Sequence, residues 1–230
     1  MISKIVASAA AAVADIRDGS TVMIGGFGSA GQPIELIDAL LEQGAKDLTV
    51  VNNNAGNGTT GLAALLQAGQ VRKIICSFPR QVDSQVFDGL YRAGKLELEL
   101  VPQGTLAERI RAGGAGIAGF FTPTGFGTML VKGKETRRIN GRDYVLEQAL
   151  SADYALIKAH RGDRLGNLVY RKTARNFGPL MAGAASVAIA QVSDIVEAGQ
   201  LDPESVVTPG IYVQRVVKVA GRAAPSTQGQ

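Results

Sequence analysis

Short apolar runs alternate with amphipathic stretches along the first half of the chain. Each run has the length of a buried strand, and each following stretch carries apolar residues at helical spacing. The apolar runs cover residues 21–24, 48–52, 73–78 and 96–101, and the helical stretches begin near residues 33, 62, 83 and 104. Strands that alternate with helices predict an α/β fold, built on an open, mostly parallel sheet flanked by helices.

The N-terminal segment predicts a further helix ahead of the first strand. Apolar residues fall on one helical face at Ile5, Ala9, Val13 and Ile16. Ser3 is the predicted N-cap, because a serine hydroxyl can accept a hydrogen bond from the first amides of a helix. We expect this helix to end near residues 18–19, where an aspartate precedes a glycine.

The second half of the chain has a less regular pattern. Residues 113–128 are rich in glycine and contain proline, which argues against a long helix or a central strand there. Asn140-Gly141 stands between extended segments in residues 137–147, which predicts a two-residue hairpin. Further strands are expected at 154–159, 187–192 and 211–219, and a helix of small residues, capped by Asn176, at 179–185.

The chain shows no internal repeat and no clean domain boundary. We therefore predict a single domain over residues 1–219, with the hairpin as a small excursion from the main sheet. Residues 220–230 are small and polar, so they are predicted to form a disordered tail.

The segment between the first strand and the second helix is the most informative part of the chain. It reads Gly25-Gly-Phe-Gly-Ser-Ala-Gly-Gln-Pro33. Glycine lets the backbone pass close to a ligand, and proline suits the first turn of a helix. The free amides of a helix N-terminus can hold an anion. The segment therefore predicts a tight, bare loop that can stabilise negative charge.

The same segment fits a dinucleotide-binding motif through Gly26, Gly28 and Gly31. That fold requires an acidic residue at the end of the second strand to hold the ribose hydroxyls. The second strand here ends in the three asparagines of residues 52–54 and carries no carboxylate. An NAD(P)-binding domain is therefore a remote alternative, as is a ligand-binding domain without catalytic activity.

Composition and charge exclude several other classes of function. The chain has 46% apolar residues and a net charge of +4, but its basic residues are dispersed and it has no tryptophan, so nucleic-acid binding is not predicted. No stretch is apolar enough to span a membrane, so we expect a cytoplasmic protein. Cys76 and His160 are the only cysteine and histidine, which excludes an internal disulfide and a metal site built from either residue. Cys76 lies in an apolar strand, where a buried, inert thiol is expected.

Polar or glycine-rich loops follow each predicted strand of the first half. They begin near residues 25, 52, 79 and 102. In open parallel sheets, ligands bind beyond the carboxyl ends of the strands. We therefore expect these loops to face one common site.

Several segments together resemble the A (alpha) subunit of the family I CoA-transferases, which include succinyl-CoA:3-oxoacid and 3-oxoadipate CoA-transferases. The matching segments are Gly25–Pro33, Asn53–Gly56, Gln103–Arg111, Gly114–Gly116, Phe121–Gly125, Gly166–Arg171, Asp202-Pro203 and Val207–Arg215. Residues 77–81 and 57–58 resemble the 3-oxoadipate enzymes more than the acetoacetate enzymes. The resemblance implies the CoA-transferase (NagB/RpiA-like) fold. It also implies transfer of CoA from succinyl-CoA to 3-oxoadipate, giving 3-oxoadipyl-CoA and succinate, in the catabolism of aromatic compounds.

The resemblance also implies how the reaction is divided between an A (alpha) and a B (beta) subunit. In this family a glutamate attacks the acyl-CoA, and an anhydride and then a glutamyl-CoA thioester form on the enzyme. The resemblance places that glutamate in a Ser-Glu-(Asn/His)-Gly type motif of the separate B subunit, and no glutamate of this chain has such a context. The chain is thus expected to be inactive alone, to work in a heterodimer or heterotetramer, and to use the CoA thioester as substrate without a permanent cofactor or metal. The same chemistry on acetoacetate or another short 3-oxoacid remains the alternative.

Matching by position assigns expected roles around the thioester. Gln103 and Gly104 fall where the family has a side-chain amide and a backbone amide near the thioester oxygen. Asn52 and Asn53 fall in the asparagine loop on the substrate side. Without the resemblance, asparagine and glycine clusters most often only form turns.

The remaining expected contacts concern the acid. Gly26, Phe27 and Gly28 resemble the loop that walls the acyl pocket. Arg80 leaves a predicted strand at the ligand edge of the sheet. Because 3-oxoadipate and succinate carry a second carboxylate, and arginine binds carboxylates with a planar fork, we predict that Arg80 recognises the distal carboxylate. The alternative for Arg80 is an ordinary surface arginine.

Overall fold

The computed structural model describes residues 2–220, so the predicted disordered tail lies outside the described residues except for Ala220. The α-helices of that range are α1 (Ala9–Val13), α2 (Ile34–Gln43), α3 (Leu62–Gln67), α4 (Gln85–Arg92), α5 (Gln103–Gly114) and α6 (Gly178–Ala184). The strands are β1 (Thr21–Ile24), β2 (Leu48–Val51), β3 (Val71–Cys76), β4 (Glu97–Leu100), β5 (Gly119–Thr122), β6 (Thr136–Ile139), β7 (Arg142–Gln148), β8 (Ala152–Asp163), β9 (Leu168–Val169), β10 (Ala185–Val196) and β11 (Arg215–Lys218). No helix within residues 2–220 has both the length and the apolarity needed to cross a membrane.

The main sheet confirms the predicted open, mostly parallel architecture. Its strand order is β11-β10-β8-β1-β2-β3-β4, and each of these neighbours pairs in parallel. The short β9 adds an antiparallel pair to the end of β8. The first strand, β1, lies in the middle of the sheet; β2 to β4 build one half, and β8, β10 and β11 build the other.

Helices cover both faces of this sheet. Alternate residues of a strand point to opposite faces, so Val22 and Ile24 of β1 join an apolar layer with α1 to α4. Met23, between them, joins a second layer with α5 and α6. Because both faces are buried, the central strands read as continuous apolar runs rather than alternating ones.

The two edges of the sheet are protected in different ways. Along β11, the residues Lys4 to Val6 run beside the outer edge, where Val6 N donates to Val216 O at 2.9 Å and Val216 N donates to Lys4 O at 2.8 Å. Along β4, Glu97 and Glu99 form ion pairs with Arg72 and Lys73 of β3 at 3.0 and 2.6 Å.

The first helix begins later than predicted because the N-terminal segment pairs with β11, and it also ends earlier, at Val13 rather than near residues 18–19. Because residues 4–6 are extended, α1 begins at Ala9, and Ser8 is its N-cap, with its hydroxyl accepting from Ala11 N at 3.1 Å. The prediction that Ser3 caps this helix is therefore wrong. The Ser3 hydroxyl instead accepts from Ile5 N at 3.4 Å.

A small antiparallel sheet, in the order β5-β7-β6, follows α5. The β6–β7 hairpin turns at Asn140-Gly141, as predicted, with positive φ at both residues. The glycine-rich segment holds no central strand, also as predicted, but it does supply β5 at the edge of this small sheet.

A partly buried charge cluster joins the small sheet to the main body. Arg109 of α5 donates from Nε to Gln148 O at 2.8 Å and from Nη1 to Glu99 Oε1 at 2.8 Å. Lys134 Nζ lies 2.6 Å from Glu147 Oε1, and the Glu147 side chain is almost fully buried. Burial raises the pKa of Glu99, but hydrogen bonds and charges from Lys73 and Arg109 outweigh it and hold that pKa below its ordinary value.

Candidate functional site

A cavity of about 720 Å³ opens at the carboxyl ends of β1 to β4. Residues from the loops after all four strands line it, as expected for an open parallel sheet. The lining residues are Phe27, Gly28, Asn53, Ser77, Phe78, Arg80, Gln81, Val82 and Gln103. Among these described lining residues there is no carboxylate and no thiol.

The mouth of the cavity is apolar and exposed. Phe27 and Phe78 are 49% and 62% exposed, and Val82 is fully exposed. Grouped large apolar side chains on a surface mark a place where a ligand or another chain binds. Neither Phe78 nor Val82 is among the predicted site residues. Their position directly after β3, at the ligand-binding edge of the sheet, is the feature of the sequence that could have identified them.

The glycine loop after β1 forms one wall of the cavity. Phe27 N donates to Ala30 O at 2.9 Å, and Ala30 N donates to Phe27 O at 3.1 Å, which closes the loop on itself. Phe27 and Gly28 line the cavity, whereas Gly26 is buried behind them with φ of 132°. That φ favours glycine, so the role of Gly26 in the structure is to shape the loop.

Asn176, predicted to cap α6, contacts this loop instead. The helix begins at Gly178 after Phe177, and no side chain caps it. The Asn176 Oδ1 atom accepts from Gly26 N at 3.2 Å, and Nδ2 donates to Ala30 O at 3.0 Å. The capping prediction is wrong because the side chain finds partners about 150 residues away, which a local pattern cannot indicate.

The two predicted asparagines of the loop after β2 have different positions. Asn52 is fully buried and does not line the cavity; its Nδ2 donates to Ile24 O at 2.6 Å and its Oδ1 accepts from Asn54 N at 2.8 Å. Asn53 lines the cavity, and its Oδ1 accepts from Ser77 Oγ at 2.7 Å. Asn52 therefore connects β1 to the loop, while Asn53 is placed where a ligand can contact it.

Helix α5 begins at the cavity with Gln103, which lies on its wall. The first intrahelical bond runs from Leu106 N to Pro102 O at 2.8 Å, so the amides of residues 103–105 have no helical acceptor. The Gln103 side-chain amide has no hydrogen-bonding partner within the described residues. Gly104 does not line the cavity, but its backbone amide is one of the three available donors. This end of α5 can therefore stabilise a negative charge in the cavity.

Arg80 also lines the cavity, and it is paired with Asp88. Its Nε atom lies 2.7 Å from Asp88 Oδ1, and the arginine side chain is 59% exposed. An exposed ion pair of this kind contributes only about 0–1 kcal/mol. Arg80 can therefore exchange Asp88 for another carboxylate at little cost.

The single thiol of the chain is not part of the cavity. Cys76 is fully buried at the end of β3, and burial raises its pKa to about 12. Within residues 2–220 no group of three or more histidine, cysteine, aspartate or glutamate side chains is arranged to hold a metal ion.

We predict that Cys76 will not react with a thiol reagent at pH 8 in the folded protein. Its raised pKa leaves almost no thiolate there, and burial blocks access. In a titration with a chromogenic disulfide, less than about one tenth of the thiol should react in the native state, and all of it should react after unfolding in guanidinium chloride. Rapid stoichiometric reaction without unfolding would contradict the prediction.

Comparison with known proteins agrees with the geometry. The family model for coenzyme A transferase matches residues 6–219. The chain is 68% identical over 226 residues to the A subunit of a 3-oxoadipate CoA-transferase from Pseudomonas putida, and the match covers 98% of each chain. It is 48% identical to the A subunit of a succinyl-CoA:3-ketoacid coenzyme A transferase from Helicobacter pylori, with 94% of this chain and 93% of that one covered.

A solved structure shares the fold at low sequence identity. It is an acyl-CoA transferase (YdiF) from E. coli O157:H7, in a thioester complex with CoA, with a TM-score of 0.83 and 23% identity. The superposition covers 96% of this chain but only 48% of that chain. The fold of the present chain therefore matches about half of that longer polypeptide.

Proposed function

The chain belongs to the coenzyme A transferase family, and on that premise we propose that it is the A subunit of a 3-oxoadipate CoA-transferase. The proposed reaction converts succinyl-CoA and 3-oxoadipate to succinate and 3-oxoadipyl-CoA. Support comes from the 68% identity to a relative of that name, against 48% and 54% to its counterparts in two 3-ketoacid enzymes. Because the proposed substrates include CoA thioesters of the cell interior, we also propose that it acts in the cytoplasm, with residues 1–219 as one domain.

The observation that carries the proposal is the composition of the cavity. Its described lining offers amide donors at the start of α5 and in the asparagine loop, but no nucleophilic carboxylate. We propose that a glutamate of a partner B subunit enters through the exposed apolar mouth. The cavity then supplies the groups that stabilise charge, and the partner supplies the attacking oxygen.

The proposed chemistry proceeds in two half-reactions. The partner's glutamate attacks the thioester carbon of succinyl-CoA, the carbon–sulfur bond breaks, and an anhydride and CoA thiolate result. The thiolate then attacks the glutamyl carbon, so succinate leaves and a glutamyl-CoA thioester remains. The carboxylate of 3-oxoadipate reverses these steps, taking the CoA and restoring the glutamate. No net proton or electron transfer is required.

Each attack places negative charge on a carbonyl oxygen. We propose that the Gln103 side-chain amide and the Gly104 backbone amide donate to that oxygen, and that Asn53 contacts the acid. A preorganised donor in a site that excludes water stabilises such an oxyanion by about 3–4 kcal/mol. Phe27 and Gly28 would form the wall of the pocket that holds the acyl chain. Gly26 and Asn52 would affect the reaction only through the loops that they shape.

The test of the proposed function is reconstitution. The chain is purified alone and together with a B subunit bearing the glutamate motif, and thioester exchange is followed with 3-oxoadipate and with acetoacetate. We expect no turnover by the chain alone and efficient turnover by the pair, with 3-oxoadipate preferred. Higher kcat/KM with acetoacetate would favour the short 3-oxoacid alternative. Turnover by the chain alone, or absence of a complex, would contradict the proposal, and NAD(P) binding in a titration would favour the dinucleotide alternative.

Within the proposed function, Arg80 is predicted to select for a second carboxylate. Arg80→Ala should lower kcat/KM for 3-oxoadipate about tenfold and leave acetoacetate within about twofold, because only the diacid can use the guanidinium. The assay compares both acceptors with the reconstituted pair. Arg92→Ala, an exposed arginine on α4 outside the cavity lining, is the control. Equal losses for both acceptors would contradict a selective role.

A further inference from the structure

Asn176 is a half-buried asparagine, and each of the two polar atoms of its side chain makes two hydrogen bonds. Oδ1 accepts from Gly26 N at 3.2 Å and from Phe177 N at 2.7 Å. Nδ2 donates to Ala30 O at 3.0 Å and to Thr173 O at 2.9 Å. The side chain therefore joins the segment before α6 to both ends of the glycine loop.

Gly25 N, at the start of the loop, donates to Leu156 O of β8 at 2.9 Å, and beyond that residue the Asn176 contacts are the hydrogen-bonded link between the loop and the rest of the described chain. Among the described residues, hydrogen bonds from residues 26–32 to any other part of the chain run to Asn176 alone. The Phe27–Ala30 bonds hold the loop's shape but do not fix its position. For residues 26–32 the amide of Asn176 is therefore the one hydrogen-bonding partner outside the loop within the described residues.

Close packing at Gly31 independently supports this arrangement. A Cβ atom at that residue would lie 2.4 Å from Ala174 O and 2.8 Å from Asn176 Nδ2. Its φ of 76° also favours glycine. The loop thus rests directly on residues 174–176, and glycine is required for the approach.

We propose that Asn176 is a positioning residue, which sets the glycine loop so that Phe27 and Gly28 form the wall of the acyl cavity. The kinetic consequence of this inference rests on the proposed function. The position of the loop can be tested independently of that function. Loss of the Asn176 amide leaves the loop closed on itself and free to move away from the cavity. Binding of the acid, rather than the bond-breaking steps at α5, is then the property that changes.

The structural part can be tested without catalysis, because the chain contains no tryptophan. Phe27→Trp places a single indole on the loop, where its emission and its quenching by acrylamide report solvent access. Adding Asn176→Asp keeps the shape and the accepting oxygen but removes both donated bonds and sets a carboxylate against two carbonyl oxygens. We expect a red shift and a rise of about twofold in the quenching constant.

Two further variants keep this test decisive. Arg175→Ala changes the neighbouring residue and should leave the emission unchanged. Gly31→Ala keeps the Asn176 residue but sets a methyl group against Ala174 O and Asn176 Nδ2, so it should push the loop away from residues 174–176 and produce the same red shift. If Asn176→Asp does not fold, as judged by circular dichroism, the emission and quenching of the Gly31→Ala protein become the deciding measurement. Unchanged emission and quenching in a folded Asn176→Asp or Gly31→Ala protein would overturn the inference.

The kinetic part uses the native Phe27 background and the reconstituted pair. Asn176→Asp should raise KM for the 3-oxo acid about tenfold while kcat stays within about threefold, since binding is altered and the oxyanion donors are not. Inactivity of the unmodified pair would contradict the proposed function and leave the fluorescence result intact. An active pair in which Asn176→Asp matches the parent in KM would overturn the positioning role alone.

Discussion

Replacing Gln103 by leucine is expected to lower kcat of the reconstituted enzyme by about 10²–10³-fold, the usual cost of losing one donor to an oxyanion. Gln103 lies on the cavity wall at the first position of α5, and its side-chain amide has no other partner within the described residues. Leucine keeps the volume and the helix but removes the donor. Because the donor acts on charge that develops during attack, KM should change little. Steady-state kinetics with succinyl-CoA and 3-oxoadipate measure both quantities.

A matched control lies on the neighbouring helix. Gln85 is the first residue of α4, as Gln103 is of α5, but it is exposed and does not line the cavity. Gln85→Leu should therefore retain kcat within about twofold, the range expected for a surface change away from the chemistry. Equal rates for Gln103→Leu and Gln85→Leu would show that the side-chain amide of Gln103 has no part in the reaction.

The second large effect concerns stability. Arg109→Met should lower the free energy of unfolding by about 2–3 kcal/mol, because it removes a buried guanidinium that hydrogen-bonds to Glu99 and leaves Glu99 with only Lys73 and Glu147 with only Lys134. It also removes the bond from Arg109 Nε to Gln148 O, which joins α5 to the small sheet. Chemical denaturation followed by circular dichroism measures the change. A loss below about 1 kcal/mol would place this cluster among ordinary surface ion pairs.

The same helix provides the control and a pH signature. Arg111 pairs with Glu108 at 3.0 Å, with both side chains more than half exposed, so Arg111→Met should cost at most about 0.5 kcal/mol. The lowered pKa of Glu99 contributes stability that is present at neutral pH and is lost as the pH falls through the folded-state pKa. Because Arg109→Met removes one cause of that lowering, acidification should destabilise the variant less steeply than the parent protein.

Local pattern is enough for much of the first half of the fold. The apolar spacing of residues 62–67 and the glycines beside them predict a helix, and α3 has those bounds. The same reasoning predicts only half the length of β8 and β10, each of which has twelve residues. These strands pair with each other from Ala152 and Ala185 to Asp163 and Val196. Their polar ends are held by that pairing, which apolar periodicity does not reveal.

For the candidate site, the sequence locates the loops better than the individual side chains. Strand-end position and resemblance identify Phe27, Gly28, Asn53, Arg80 and Gln103, which the structure brings together around one cavity. The sequence groups Asn52 with Asn53, but alternation along the chain turns Asn52 into the interior, where its amide bonds to Ile24 O. The contacts of Asn176 escape prediction because its partners are distant in sequence. The direction of a side chain and its long-range partners both depend on tertiary structure.

The protected edges of the main sheet restrict how this protein can assemble. A strand from another molecule cannot add beside β11, where Lys4 to Val6 already occupy the backbone groups. Beside β4 it would meet the carboxylates of Glu97 and Glu99, which discourage such growth. Neither edge of the main sheet therefore offers an open template for fibril-like stacking. Contacts of the main sheet with another polypeptide are therefore restricted to its helices and loops, and the surface at the carboxyl ends of its strands remains available for them.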